Sequence, residues 1–518
     1  MGQECYRLSH MGDPRPAPSI RYSVLLTALW TALGLVRLLT HEMWRDELQA
    51  WMIARGSETP LQLISNMRYE GHPSLWAFSL FVVSSVTDSP IGMQLLNLAI
   101  GTATAFILFA FAPFPRWVTV SIAFGYFVAY EYGTLSRSYG LGILFIFAFC
   151  ALFARARRGR ALSLGITLGM LASTSVYGVL AAAGLGAGAL WDGWIHRPGP
   201  GPGRRRRVAA LAALAACGML GTAYLVRQPP DAGFRIRPRT SIDPSVGLVA
   251  AGSVWRGLVP IPPPERQFWN RDVLERLPVV RAAAGIMMFA TVLFAVRRSP
   301  AALLTFGVGG TGLLVFSYLI YEGGIRHHGH YFVLMTAGSW MGATTPRPTL
   351  TGRGPLLAGL AVIQLATGAF ASVMDVRLTF SGSRNAASYI RAHYPPDTPI
   401  VVDPELHGVP VAAWLERNVY FAQSERYGGF VVWNNRQQPP DLDRAVAAAD
   451  RLSVAANRDV LLVTTHQRVP PPRFRHVGHF EGAIVKEETY EVYLLRVNAG
   501  SSRPDDRGVG GADRSSAR

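Results

Sequence analysis

The stretch His41-Glu42-Met43-Trp44-Arg45-Asp46-Glu47-Leu48-Gln49-Ala50-Trp51 decides how the chain is read. It follows directly on an apolar run, Tyr22 to Leu39, so two adjacent carboxylates stand where a membrane helix ends. A charge at that depth is costly unless it has a partner or a task. Trp44 and Trp51 flank the pair and are of the type that settles at a membrane–water interface. Locally, Asp46 is placed to N-cap a short helix from Glu47 to Ala54, with Gln49 closing a capping box. Capping and facing a substrate are compatible roles for one carboxylate. Further on, Tyr69-Glu70-Gly71-His72-Pro73-Ser74-Leu75-Trp76 opens the next apolar segment.

With 518 residues, half of them hydrophobic, the chain is too apolar for an ordinary soluble protein, and many runs approach the roughly 20 residues a spanning helix needs. The net charge of +17 does not point to nucleic acid. All but one of the 50 basic residues are arginine, Lys486 being the exception, and no basic stripe with interleaved aromatics appears. Cys5, Cys150 and Cys217 form neither a disulfide framework nor a zinc spacing. The tail 1–21 carries Arg7, Arg15 and Arg21 and no small-residue cleavage site follows the first run, which is therefore expected to be a retained span.

Arginine clusters in short loops set the topology. They lie at Arg155 to Arg160, at Arg197 with Arg204 to Arg207, at Arg297-Arg298, and at Arg347 with Arg353. Placing these and the N-terminal tail in the cytoplasm gives about 11 spans: 22–40, 90–112, 117–132, 139–154, a Gly/Ala-rich hairpin of two over 161–195, 208–226, 279–296, 301–320, 331–343 and 355–373. The parity holds if Pro73 to Val86, about 14 residues and short for a span, is a juxtamembrane helix of a large first external loop, 41–89. The alternative is that it crosses and another segment does not. Thr59-Pro60-Leu61-Gln62 reads as a further helix start in that loop. A second external loop, 227–278, breaks the charge rule. Its Arg235-Ile236-Arg237-Pro238-Arg239 run is either a site for lipid headgroups or an anionic substrate, or a solvated loop.

Residues 380–498 alternate strand-like runs (Pro399 to Val402, Val419 to Ala422, Phe430 to Trp433, Val460 to Thr464, Tyr490 to Val497) with helix-like ones (Arg384 to His393, Leu442 to Ala456). They read as a small extracytoplasmic α/β domain without a Gly-rich phosphate loop. The tail 499–518 has a disordered composition. The fold class is thus a polytopic α-helical membrane protein with a small C-terminal α/β domain.

Four groups of ionisable residues gather at the external face: Asp46-Glu47, Glu70 with His72, Glu131 with Arg137, and Glu322 with Arg326-His327-His328. Such groups at a membrane edge are functional-site candidates. Blander readings stand beside them: Arg326 in a plain ion pair with Glu322, Tyr132 and Tyr139 as interfacial anchors, and His327, His328 and His330 with Glu322 as a metal set.

Trp44-Arg45-Asp46-Glu47 in the first external loop resembles the acidic motif of GT-C glycosyltransferases, polytopic enzymes that take sugars from polyprenyl-phosphate carriers and include the protein O-mannosyltransferases and aminoarabinose transferases. His72-Pro73 resembles the His-Pro-Pro stretch frequent there, with Ser74 in place of the second proline. Ser136-Arg137-Ser138-Tyr139 is similar to an Ala-Arg-x-Tyr or Ala-Arg-x-Asp element before the fourth span, although many relatives carry an Asp where this loop has Glu131 and Arg137. The likeness covers residues 22 to about 200 and extends beyond them only as general layout.

The resemblance implies a multi-pass protein of a cell membrane, read as a bacterial plasma membrane. It would move a sugar from a polyprenyl phosphate to a hydroxyl of a glycan, lipid or protein acceptor, without cofactor. Inverting transfer needs a carboxylate to take the acceptor proton and cations for the departing phosphate, for which arginine offers a fork. Asp46, with Glu47 beside it, is the expected base. Arg137, Arg326, His327 and His328 are the expected phosphate partners, and Glu70, His72, Glu131, Tyr139 and Glu322 the expected substrate contacts. A lipid or glycan transporter, or flippase, and a membrane-anchored sensor are the competing classes. A transporter calls for mid-span charges and matched broken helices, whereas the charges here gather at one face.

Overall fold

The first apolar run folds as α1 (Ile20–Thr40), opened by Ser19, whose hydroxyl accepts the Tyr22 amide hydrogen. The computed structural model describes residues 19–154, 161–195, 202–233, 237–345, 354–466 and 468–497. The tail 499–518 and the arginines at 155–160 and 347–353 lie outside these. After α1 come three short helices, α2 (Arg45–Arg55), α3 (Pro60–Met67) and α4 (Leu75–Ser84), and then α5 (Ile91–Phe111). Next are α6 (Arg116–Ala123), a π-helical turn (Tyr126–Glu131), α7 (Ser138–Ala154), α8 (Ala161–Ala172), α9 (Val176–Ile195) and α10 (Pro202–Leu225). Then follow α11 (Pro244–Leu258), α12 (Pro278–Val296), α13 (Pro300–Leu319), α14 (Ile325–His328), α15 (His330–Thr344) and α16 (Pro355–Arg377).

Among the described residues, five helices are long and apolar enough to cross a membrane: α1, α5, α12, α13 and α16. Their outward faces carry exposed Leu25, Leu29, Ile286, Met287, Phe294 and Val362, as lipid-facing surfaces do. These are the marks of a membrane protein, with fewer qualifying helices than the eleven spans expected. The shortfall has physical causes. The run 117–132 is not one helix: α6 stops at Ala123, and Tyr126 to Glu131 form a π turn buried throughout. Helix α15 has 15 residues and is buried from His330 to Gly342, so it fills the interior of the bundle. Its 15 residues fall short of the length of a straight span, so it does not qualify by length. The 227–278 loop also holds a helix that the sequence reading left out, α11, which Asp243 caps and Pro244 begins.

Beyond α16 lie α17 (Ser383–His393), β1 (Ile400–Asp403), α18 (Glu405–Leu415), β2 (Val419–Phe421), β3 (Arg426–Gly428), α19 (Leu442–Ala456), β4 (Val460–Thr464), β5 (Phe474–Phe480) and β6 (Tyr490–Leu495). They build one sheet in the order β3-β2-β1-β4-β6-β5, with β2, β1 and β4 parallel and the other pairs antiparallel. The central strands are buried on both faces and apolar up to their last residues, Asp403 of β1 and Thr464 of β4. Val401, Val460 and Leu462 face a core with α19, while Val402, Leu461 and Val463 face the other side. That second core is continuous with Leu48, Trp51, Met52 and Ile53 of α2. The domain is thereby seated on the helix that carries Asp46. Phe430 to Trp433, expected as a strand, is not one: the Val431 amide and carbonyl are taken by the Gln49 side chain of α2.

Candidate functional site

Helix α2 starts two residues earlier than the sequence suggested, with Trp44 at its N-cap, so Asp46 is its second residue and does not cap it. The Trp44 amide is satisfied instead by Glu47 Oε2 at 3.2 Å, and the Asp46 side chain is free for other partners. Glu47 is fully buried: Oε2 also faces His41 Nε2 at 3.2 Å, and Oε1 accepts the Ser136 amide at 2.6 Å. His41 in turn reaches Asp375 of α16 at 3.0 Å through Nδ1. An imidazole between two buried carboxylates is held protonated; burial opposes the charge, but Asp375 and Glu47 raise the His41 pKa well above its ordinary value. Glu47, expected beside Asp46 as a catalytic group, is therefore sealed off and acts as the tie between α1, α2, α16 and the 132–137 loop.

Asp46 meets the two arginines expected for a phosphate. Its Oδ2 lies 3.0 Å from Arg326 Nη2 and 3.3 Å from Arg137 Nη1, and Arg137 Nη1 also donates to the Asp46 carbonyl at 2.6 Å. Among the described residues no hydrogen bond reaches Oδ1. The Arg326 guanidinium lies 5.2 Å from the Trp44 ring and 5.8 Å from the Trp269 ring, and the two indoles meet edge to face. Its Nε is buried without a partner. Arg326 does not pair with Glu322, as the blander reading had it. Glu322 is bonded to Arg239 at 2.9 Å and lies outside this cluster.

Asp46 remains 23% exposed, and the arginines 15% and 14%. The site is a recess, open to solvent yet surrounded by protein. Burial pushes the Asp46 carboxyl up, but Arg137, Arg326 and Arg45 outweigh it and hold its pKa below the ordinary value. His72 is exposed beside the same charges, and the protein around it, with Arg137 and Arg326, holds its pKa below the ordinary value. Gly71, at φ 66°, makes the turn that sets Glu70 and His72 on this loop.

Glu70 Oε1 accepts from Gln49 Nε2 at 2.7 Å, and burial pushes its carboxyl up to about 7. The folded protein therefore keeps a proton on Glu70 that an unfolded chain releases near 4.5. Stability from this group is complete below 4.5 and is lost as pH rises through about 7. Glu70→Gln keeps the acceptor for Gln49 and removes the titration. In detergent, the thermal midpoint of the wild type should fall relative to that of the variant between pH 5 and 8. Parallel curves would remove Glu70 as the titrating group.

The remaining expected residues lie behind the recess. Tyr139 is buried and its hydroxyl meets His327 Nε2 at 2.8 Å, while His327 Nδ1 accepts the Gly324 amide. His328 Nε2 donates to the Glu322 carbonyl at 2.9 Å. Burial lowers both histidines, His328 to about 3, so both are neutral. They support the Arg326 loop and are not turned toward the recess. Glu131 is buried too; its Oε2 accepts from Tyr126 and from Trp269 Nε1, which fixes one indole against Arg326. Among the described residues no three His, Cys, Asp or Glu side chains converge as a metal set would, so the alternative reading of the histidine loop has no geometry to rest on.

Sequence reading missed the clamp on α2 from the C-terminal domain. Glu488 Oε1 accepts the Arg45 amide at 2.9 Å, Glu487 takes the Arg45 guanidinium at 2.9 Å, and Arg45 Nη1 contacts His407 Nε2. Just before α2 in the chain, Glu42 Oε2 accepts the Phe380 amide. No spacing rule links residues so far apart in the chain. The recess thus presents one ionised carboxylate, two arginine forks and an aromatic wall at the loop end of a helical bundle. Compared with known proteins, the chain matches no protein-family model and no curated protein.

Proposed function

We propose that the protein is a membrane glycosyltransferase that moves a sugar from a polyprenyl phosphate to an acceptor hydroxyl, with inversion at the anomeric carbon. The observation that carries the reading is the sharing of Asp46 Oδ2 between Arg137 and Arg326 in an open recess. A donor phosphate competes for the same two guanidiniums. As they turn to it, Asp46 loses the partners that hold its basicity down. Its carboxylate then takes the proton of the acceptor hydroxyl while that oxygen bonds to the anomeric carbon. The bond from that carbon to the phosphate oxygen breaks, and its electron pair leaves on the phosphate, which the arginines neutralise. The resemblance of Trp44-Arg45-Asp46-Glu47 and His72-Pro73 to GT-C enzymes supports the same reading.

The test is transfer from a panel of radiolabelled polyprenyl-phosphate sugars in membranes containing the full chain. Carrier translocation without any transfer would sink the proposal in favour of a flippase. The reading includes a cytoplasmic N-terminus, about 11 crossings and an extracytoplasmic C-terminal domain. Reporter fusions at residues 158 and 450 should therefore report opposite sides of the membrane. The same side for both would overturn the topology.

A further inference from the structure

The parallel strands of the C-terminal sheet have a switch point. From β1 the chain passes through α18 to β2 on one side, whereas α19 delivers it to β4 on the other side of β1. In open α/β sheets, ligands bind in the crevice outside the carboxyl ends of the strands at such a point. Here those ends are Asp403 and Thr464, which lie opposite each other in the β1–β4 register.

The crevice has a polar lining that the recess chemistry does not use. Asp403 is 1% exposed; its Oδ2 lies 2.6 Å from His466 Nε2, while Oδ1 is buried and, among the described residues, no well-formed hydrogen bond reaches it, although the Asp441 backbone N–H also acts on the carboxyl. A buried carboxylate oxygen without a well-formed hydrogen bond is costly in a finished structure. His466, at 26%, is partly open to solvent. His407, from the first turn of α18, lies 2.6 Å through Nδ1 from Thr465 Oγ1, and its Nε2 faces Arg45. Burial and Arg45 pull the His407 pKa down to about 3, so Nε2 accepts from Arg45 and Nδ1 donates to Thr465.

Two features select the ligand. The cation at this edge, Arg45, is already matched by Glu487 at 2.9 Å, so among the described residues no free positive charge here invites an anion. What remains is a carboxylate oxygen in need of a donor, beside an imidazole and a threonine hydroxyl that both donate and accept. Such a set suits hydroxyl groups. Arg45 also joins this crevice to the recess, being the residue before Asp46, and the Asp46 charge is felt at His407.

We propose that the crevice between the ends of β1 and β4 binds a neutral, polyhydroxylated ligand through Asp403, His466 and Thr465. Resting on the glycosyl-transfer reading above, that ligand is the acceptor, whose free hydroxyl is presented to Asp46 across Arg45. The C-terminal domain is then part of the site and sets which acceptor is used.

The test is a glycan array of neutral and anionic oligosaccharides probed with the purified full chain in detergent. Neutral glycans should bind, and binding should weaken about tenfold or more in Asp403→Asn and in His466→Gln, as expected for a lost hydrogen bond to a charged group. His466 is partly exposed, so its variant remains informative if Asp403→Asn does not fold. Binding of anionic glycans alone, or neutral binding untouched by both crevice variants, would overturn the proposal. A transfer assay separates the two readings. If neutral glycans bind through Asp403 and His466 but no polyprenyl-phosphate sugar is turned over, the crevice stands and the glycosyltransferase reading falls. If transfer proceeds with an acceptor KM unaltered in both crevice variants, the enzyme stands and the crevice falls.

Discussion

Asp46→Asn should abolish sugar transfer while leaving the protein folded and its donor bound. Helix α2 does not depend on Asp46 for its start, since Glu47 holds the Trp44 amide and Glu488 the Arg45 amide. The amide that replaces the carboxylate still accepts from one arginine but takes no proton at neutral pH. Loss of general-base assistance lowers the chemical step by about 10²–10⁴. Donor affinity should hold or rise, because both guanidiniums are released from their internal partner. The measurement is single-turnover transfer at saturating donor, with donor binding read separately by displacement of a labelled carrier. Normal turnover would move the base to Glu70, the other carboxylate of the recess, while loss of donor binding would make Asp46 an anchor for the arginines. The depressed Asp46 pKa belongs to the free enzyme and adds a pH signature: the acid limb of kcat/KM for the donor should lie below the usual carboxylate range, and at saturating donor it should move up as the arginines turn to the phosphate.

Those arguments draw unevenly on sequence and on structure. The helix starts were legible because their chemistry is local. Thr59 accepts the Gln62 amide at the head of α3 as its Thr-Pro-x-Gln pattern implies, although the Gln62 side chain takes the Glu58 amide. Asp243-Pro244 carries the same kind of signal for α11 and went unread only because it lay inside an arginine-rich loop. Asp46, Arg137 and Arg326 were each singled out, since charges at span ends need a reason. Their meeting at one oxygen was not readable, with 280 residues separating Asp46 from Arg326. The same distance in sequence hid the Asp375–His41–Glu47 tie and the grip of Glu487, Glu488 and His407 on Arg45. Phe430 to Trp433 shows the opposite failure. Its residues suit a strand, but its backbone found partners in Gln49, and tertiary contacts overrode propensity.

Arg326→Ala and Arg137→Ala should each weaken donor binding, and the first should do so more. A charge-assisted hydrogen bond contributes about 1.5–3 kcal/mol, so each variant should lose about tenfold to a hundredfold in donor affinity. Arg326 has a further contribution from its seat between Trp44 and Trp269, about 0.5–2 kcal/mol for a cation against aromatic faces. Lysine at position 326 should restore only part of the loss, since a point charge replaces a planar fork and stacks less well on the indoles. Position 137 should accept lysine better, because among the described residues no ring contact there depends on the fork. A second readout tests whether these arginines act on Asp46 as well as on the donor. Removing either cation raises the Asp46 pKa, so the acid limb of the residual activity should move to higher pH in both alanine variants. Loss of affinity with an unmoved acid limb would mean that the ion pairs seen at Asp46 do not tune it. Full donor affinity in both variants would place the phosphate elsewhere in the protein.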